Sequence, residues 1–242
     1  MIRTILILAL VLCMFACEKE QQKLNISEVG VGIEYEIEII FFEGERFTGI
    51  IYENWDNGNP KSIYNTKNGL RHGSYERYHK NGQIEVKATY IDGKLNDSYE
   101  WFYENGQLGI KANFNKGNEQ GSYHVYHDNG QLMSKTTYKN GLKHGPWEEY
   151  YSDGQLMNKT TYSEGKENGP VEVYNEDGQL LLKSTYKDGE YHGLYEIYYD
   201  NGQLMEKKNY LNGLRHGVYK RFYRDGQLWE LSIYENGEFV SN

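Results

Sequence analysis

The chain has 242 residues, with 35 acidic and 26 basic side chains, a formal net charge of −9 and 24 tyrosines. That acidic balance excludes a general nucleic-acid binder, which needs cationic patches against phosphate, and disfavours electrostatic attachment to anionic lipid heads. The two cysteines, Cys13 and Cys17, both lie at the extreme start, so no disulfide framework is available to the rest of the chain.

Residues 1–16 open with Arg3 and continue as an apolar run to Ala16. A short cationic start before an apolar stretch reads as a secretory signal peptide, and the run falls short of the about 20 residues a transmembrane helix needs. The ending Met14-Phe15-Ala16-Cys17 resembles a bacterial lipobox. That resemblance implies acylation of Cys17 and an address in the bacterial cell envelope, at the outer membrane, with membrane contact only through the lipid. Residues 17–32 are expected to form a flexible tether, because the charged stretch after Cys17 has little to bury. The alternating segment from Ile33 to Ile39 reads as a strand with one acidic face, and residues 33–57 as an N-terminal capping hairpin.

From residue 58 to 242 the chain repeats. Gly82, Gly106, Gly130, Gly154, Gly178, Gly202 and Gly226 recur every 24 residues, and a second glycine column from Gly69 to Gly237 keeps the same interval. Each unit sets two short runs rich in Tyr and Thr around Asp-Gly or Asn-Gly, the strongest local hairpin signal. A two-residue type I′ loop at Asp153-Gly154 and its equivalents places Glu76, Glu100, Glu148, Glu172 and Glu196 opposite Lys87, Lys111, Lys159, Lys183 and Lys207. The same register lays Tyr90, Tyr138, Tyr162 and Tyr234 over strand glycines, which covers exposed backbone. The expected fold is all-β: an elongated array of 24-residue hairpins in one twisted antiparallel sheet, with no α-helical domain and no globular core.

Strict alternation from that loop puts the aliphatic ladder from Ile84 to Leu228 beside the Tyr75 and Tyr90 columns on one face. The other face then carries Tyr126, Tyr150, Tyr174, Tyr198 and Phe222 next to Met133, Met157, Met205 and Trp229. These residues, with Trp147, are the candidate binding surface, since a wide aromatic and apolar strip marks a partner site.

His72, His144, His192 and His216 share one turn column, which points to a repeat-level structural task. His124 and His127 are three apart on a strand and so face opposite sides. No spacing fits a zinc or calcium site, and no nucleophile elbow or phosphate loop occurs. The expectation is no enzyme, no cofactor, no metal and no catalytic residue.

The pattern Gly-x-aromatic-x-x-aromatic, then Asn-Gly, then Tyr-x-Asn-Gly-x-x-His-Gly, resembles the MORN repeat in its bacterial variant form. Asn140-Gly141-Leu142-Lys143-His144-Gly145 and the run from Asn212 to Gly217 carry it, and it covers about residues 44 to 239. The resemblance implies an interaction or membrane-associated scaffold. Some members are labelled antitoxin components, a role that none of these residues supports. A protein-interaction scaffold is therefore the leading expectation for function. A surface lipoprotein binding polysaccharide, whose sugar rings would stack on the aromatic ladders, is the alternative.

Overall fold

Two kinds of glycine turn alternate along the repeats, and they need different backbones. At Asn140-Gly141 φ is 53° and 79°, and its equivalents from Asn68-Gly69 to Asn236-Gly237 are likewise left-handed at both residues. Two successive positive φ values make a type I′ loop, whose twist matches the strands it joins. Lys139 and Leu142 pair directly across it.

At the other column only the glycine is left-handed, as at Gly154 with φ 90°. The Gly154 N–H donates to the Tyr151 carbonyl at 2.9 Å, and the Tyr151 N–H donates to the Gln155 carbonyl at 2.8 Å. That is a three-residue loop ending in a left-handed glycine, not the expected two-residue type I′ loop. The cause is local. Asp153 Oδ1 accepts the Gln155 N–H at 2.9 Å, and this side-chain bond suits a right-handed Asp153.

A bulge absorbs the extra loop residue. Glu149 pairs with Asn158 but Tyr150 pairs with Leu156, so Met157 has no partner. The sister hairpins shift at the same place. Beyond the bulge the expected register stands, with Glu148 opposite Lys159 and Gly145 opposite Tyr162.

The bulge also redistributes the faces. Residues paired across an antiparallel ladder share a face, so Leu156 joins Tyr150, Glu148 and Lys159 on what we call the ladder face. The bulged residue turns to the other side, the aromatic face. There Glu85 meets Arg77 at 2.9 Å, and Trp229 lies 4.3 Å beneath the Arg221 guanidinium. The aliphatic ladder and the Tyr90 column therefore occupy opposite faces, which corrects the alternation expected from a two-residue loop.

The computed structural model describes residues 21–34 and 37–242. The expected signal peptide (1–16) and Cys17 lie outside the described residues. The chain is nearly all strand, and the main sheet has 21 strands. Among the described residues there is one 3-10 turn, Ile26–Glu28, and no α-helix.

The N-terminal part differs from the expected tether and hairpin. Strand β1, Lys23–Asn25, pairs in parallel with Ile50–Tyr52 of the main sheet and buries Leu24. Lys23 sits 5.0 Å over the Tyr52 ring, so a charged residue next to Leu24 still finds a partner. Strands β2 (Gly30–Glu34), β3 (Ile37–Phe42) and β4 (Glu45–Arg46) form a separate small sheet. Glu34 pairs with Ile37, so Ile33 to Ile39 spans a chain reversal and is not a single strand. The antiparallel hairpins of the main sheet start at β5, Gly49–Asn54, ahead of residue 58.

A compact core forms here, against the expectation of none. Leu24, Ile40, Phe47, Ile51 and Tyr64 pack together, ringed by Ile26, Val29, Phe42 and Tyr75. The small sheet is clamped to the array by the Ile40 N–H donating to the Gly69 carbonyl at 2.8 Å and by Arg71 bonding Glu38 at 2.8 Å.

Candidate interaction surfaces

On the ladder face, charges alternate across successive strands. Lys87 faces both Glu76 and Glu100, Lys159 faces both Glu148 and Glu172, and Lys183 faces both Glu172 and Glu196. Closed ion pairs include Lys135–Glu148 at 2.8 Å, Lys207–Glu196 at 2.9 Å and Lys111–Glu100 at 3.2 Å. Opposite charges directly across a sheet contribute about 0.2–1 kcal/mol each. The next aromatic column closes the rungs where it holds tyrosine: Tyr174 and Tyr198 donate to Glu172 and Glu196 at 2.9 and 2.8 Å, and Tyr150 donates to Glu148, whereas Phe102 beside Glu100 has no hydroxyl.

These bonds shift the acids. Hydrogen bonds from Lys135 and Tyr150 hold the Glu148 carboxyl below the usual carboxylate range. Burial pushes Glu196 upward, but hydrogen bonds from Lys207 and Tyr198 outweigh it, and its carboxyl also lies low. Burial, followed by the hydrogen bond to a glutamate, raises Tyr78 and Tyr198 to about 12.

The alternation starts only at Glu76, since Ile63 and Tyr52 precede it in the ladder, and it breaks at two later places. His124 replaces one glutamate and faces Lys135. In the last hairpin Lys220 stands where glutamate is expected and faces Lys207 on one side and Leu231 on the other.

On the aromatic face, rings from adjacent strands meet over a row of small side chains. Tyr75 and Tyr90 lie 5.6 Å apart, Tyr99 and Phe114 5.8 Å, and Tyr123 and Tyr138 5.4 Å. The row beneath holds Ala112, Thr160, Ser184 and Ser232, each only 1 % exposed. Large side chains there would displace the rings, so residue size sets the packing. Gly109 shows the same logic in the bulge column. A Cβ there would lie 2.3 Å from the Trp101 ring, which occupies the space instead.

One unit departs from this row. Lys208 is buried at the small-residue position, bonded to Glu206 and 4.4 Å from the Tyr195 ring. A buried lysine is tolerated because the carboxylate and the ring face replace its water.

The predicted surface residues do not form one strip. Met133, Trp147, Met157, Met205 and Trp229 belong to the aromatic face, and Tyr126, Tyr150, Tyr174, Tyr198 and Phe222 to the ladder face. The apolar strip beside the methionines instead includes Trp101, Val125, Val173 and Ile197, which sequence reasoning missed because strict alternation carried the methionines to the wrong side. Lys208 and Lys220 were missed as sites, although each is visible as a lysine in a column that otherwise lacks one.

Among the described residues, no group of three His, Cys, Asp or Glu side chains is placed to hold a metal. A cavity of about 490 Å³ lies between the cap and the first hairpins, lined by Glu38, Glu53, Lys61, Arg71, Tyr64 and Arg77 among others. Its charges satisfy one another: Lys61 with Glu53 at 2.7 Å, Arg71 with Glu38, and Arg77 with Glu85. No helix of the described residues is long and apolar enough to cross a membrane.

A family model described as MORN repeat variant matches residues 71–92, 98–116, 119–140, 143–164, 167–188, 191–212 and 215–236. Each matched segment spans one hairpin, its two strands and the three-residue loop between them. No curated protein matches the chain.

Proposed function

The chain belongs to the MORN repeat variant family, and on that premise we propose that its array is a non-catalytic scaffold that holds a protein partner. MORN repeats are generally associated with scaffolds that bind proteins or membranes. The partner surface in this reading is the aromatic face beyond the cap.

One observation carries it. The N-terminal core packs on Tyr64 and Tyr75, whereas no second layer covers the rings and methionines of the later hairpins among the described residues. A single-layer sheet of tyrosine, tryptophan and methionine offers large, rotamer-poor contact area of the kind that dominates protein interfaces. Acylated Cys17 would hold this surface at the cell envelope.

The polysaccharide reading has one specific support. Tyr223 and Trp229 stack at 5.5 Å, and both are about half exposed, a platform on which a sugar ring could lie.

Photo-crosslinkers placed at Met157 on the aromatic face and at Lys159 on the ladder face, in membranes of the producing cell, separate these readings. A single stoichiometric protein captured from position 157 and not from 159 is the expected result. No stoichiometric protein from either position, together with glycan binding lost in Trp229→Ala, would replace the scaffold reading by the polysaccharide one. The anchor has its own test: palmitate labelling of the wild-type chain and none of Cys17→Ser.

A further inference from the structure

Two ladder-face columns change character in the last hairpin, strands Gly217–Phe222 and Leu228–Glu235, and a third, aliphatic since Leu194, stays so. Val218 stands in a column that begins with serines and prolines, Leu231 in the lysine column, and Ile233 in a column of Thr and Asn. All three are exposed, at 41 %, 37 % and 37 %. With Lys207, Asn209 and Lys220 in place of an ion-pair rung, Val218 and Leu231 line a pocket of about 310 Å³.

The charge pattern points to an anionic occupant. Lys207 and Lys220 are directly opposite each other, and like charges so placed repel. Lys207 has Glu196, but Lys220 makes no ion pair among the described residues. An acid entering beside Lys220 would relieve a repulsion that the other rungs of this array avoid.

The other end of the molecule carries the complementary chemistry. Residues 28–38 contain four glutamates and no lysine or arginine, although Arg46 and Arg71 already pair Glu34 and Glu38. On β2, Val31 and Ile33 project from the same side of the strand and are 53 % and 79 % exposed. Glu28, in the turn just before β2, makes no ion pair among the described residues. β2 pairs only with β3, so its second edge is open among the described residues.

We propose that the array associates head to tail, the Val31–Ile33 strand of one copy docking on the Val218–Lys220–Leu231 patch of the next. Donor and acceptor sit on different ends, so the contact is heterologous and builds open chains, not closed dimers. It uses the ladder face and leaves the aromatic face free, so its failure leaves the scaffold reading untouched.

Sedimentation velocity on the full chain tests this. The wild type is expected to shift, with rising concentration, to species larger than a dimer, and to shift back as salt screens the charges. Lys220→Glu with Leu231→Lys rebuilds the Glu–Lys pair seen at Glu196 and Lys207, so the variant keeps its fold and should associate roughly tenfold or more weakly. Ile33→Lys changes an exposed side chain and should do the same. Each variant lacks a different half of the contact, so an equal mixture should form one-to-one pairs and nothing larger. A wild type that stays monomeric, association that survives both variants, or a mixture that stays monomeric would overturn the proposal.

Discussion

Lys116 and Glu164 hold left-handed backbone, with φ of 51° and 50°, at the loop position where most other units place Asn or Asp. A long side chain gains nothing from that conformation, whereas Asn and Asp bond locally and tolerate it. Glu164→Asn should therefore raise unfolding free energy by about 0.5–1 kcal/mol, read as a shifted urea midpoint at unchanged slope. The ionisable side chains make a second expectation. Glu148 and Glu196 lie below their ordinary value of 4.5 when folded, so the unfolded chain binds protons first. Their stabilisation is present above 4.5 and is lost as pH falls through the folded values. Tyr64, Tyr78 and Tyr198 lie at about 12 against an ordinary 10.0, chiefly through burial. There the unfolded chain loses protons first, so stability is full below 10 and is lost as pH rises toward 12. Urea midpoints across pH should show a plateau with two falling limbs, and tyrosinate absorbance should lag in the folded chain. A flat alkaline limb would mean that these rings are not held as described. At this scale the Glu–Lys pairing was legible, because charge and position repeat together. The loop type was not. Asp-Gly and Asn-Gly suit both loops, and the Asx bond to Gln155 that decides between them is a three-dimensional fact.

Hairpins are joined by more than the sheet ladder. Tyr103 Oη donates to the Tyr126 carbonyl at 2.9 Å and Asn105 Nδ2 to the Asp128 carbonyl at 2.8 Å, each reaching the turn of the next unit. Tyr199 and Asn201 repeat the pair with Phe222 and Arg224. Between the turns at Gly178 and Gly202 neither bond forms. Asn175 replaces the tyrosine and turns inward to accept the Gln179 N–H at 2.8 Å, and the Asp177 carboxylate has no proton to donate. This joint should be the weakest in the array. Asn175→Tyr with Asp177→Asn restores both donors and should add about 1–2 kcal/mol, with slower amide exchange in the strands either side of residues 175–179. Unchanged exchange there would mean that the cross-turn bonds contribute nothing beyond the ladder. The tyrosine and asparagine columns were visible in the repeat, but the three-residue loop is what aims them at the next turn. A two-residue loop suggests no such contact.

Across the whole molecule, stability is unevenly distributed. Among the described residues the array has no second layer beyond the cap, and its exposed aliphatic side chains gather toward the last hairpin, at Leu214, Val218, Leu228 and Leu231. The cap packs a compact core onto the first hairpin, with Ile51 fully buried and Ile40 at 1 % exposure. Sequence pattern revealed the array because a 24-residue period leaves no other reading. It placed a cap at residues 33–57 but concealed that cap's core and first strand, because these strands do not repeat and the key residue, Leu24, stands beside a charged run. In a quasi-one-dimensional array each unit contacts only its neighbours, so damage should spread only as far as neighbour coupling carries it. Ile51→Ala removes buried volume at the cap and should cost about 2–5 kcal/mol locally. Amide exchange should then accelerate through β1, β5 and the first hairpins. Beyond the weak joint at residues 175–179 it should stay at wild-type rates. Equal acceleration at Leu204 and at Ile63 would show instead that the array unfolds as one cooperative body, with the cap as its keystone.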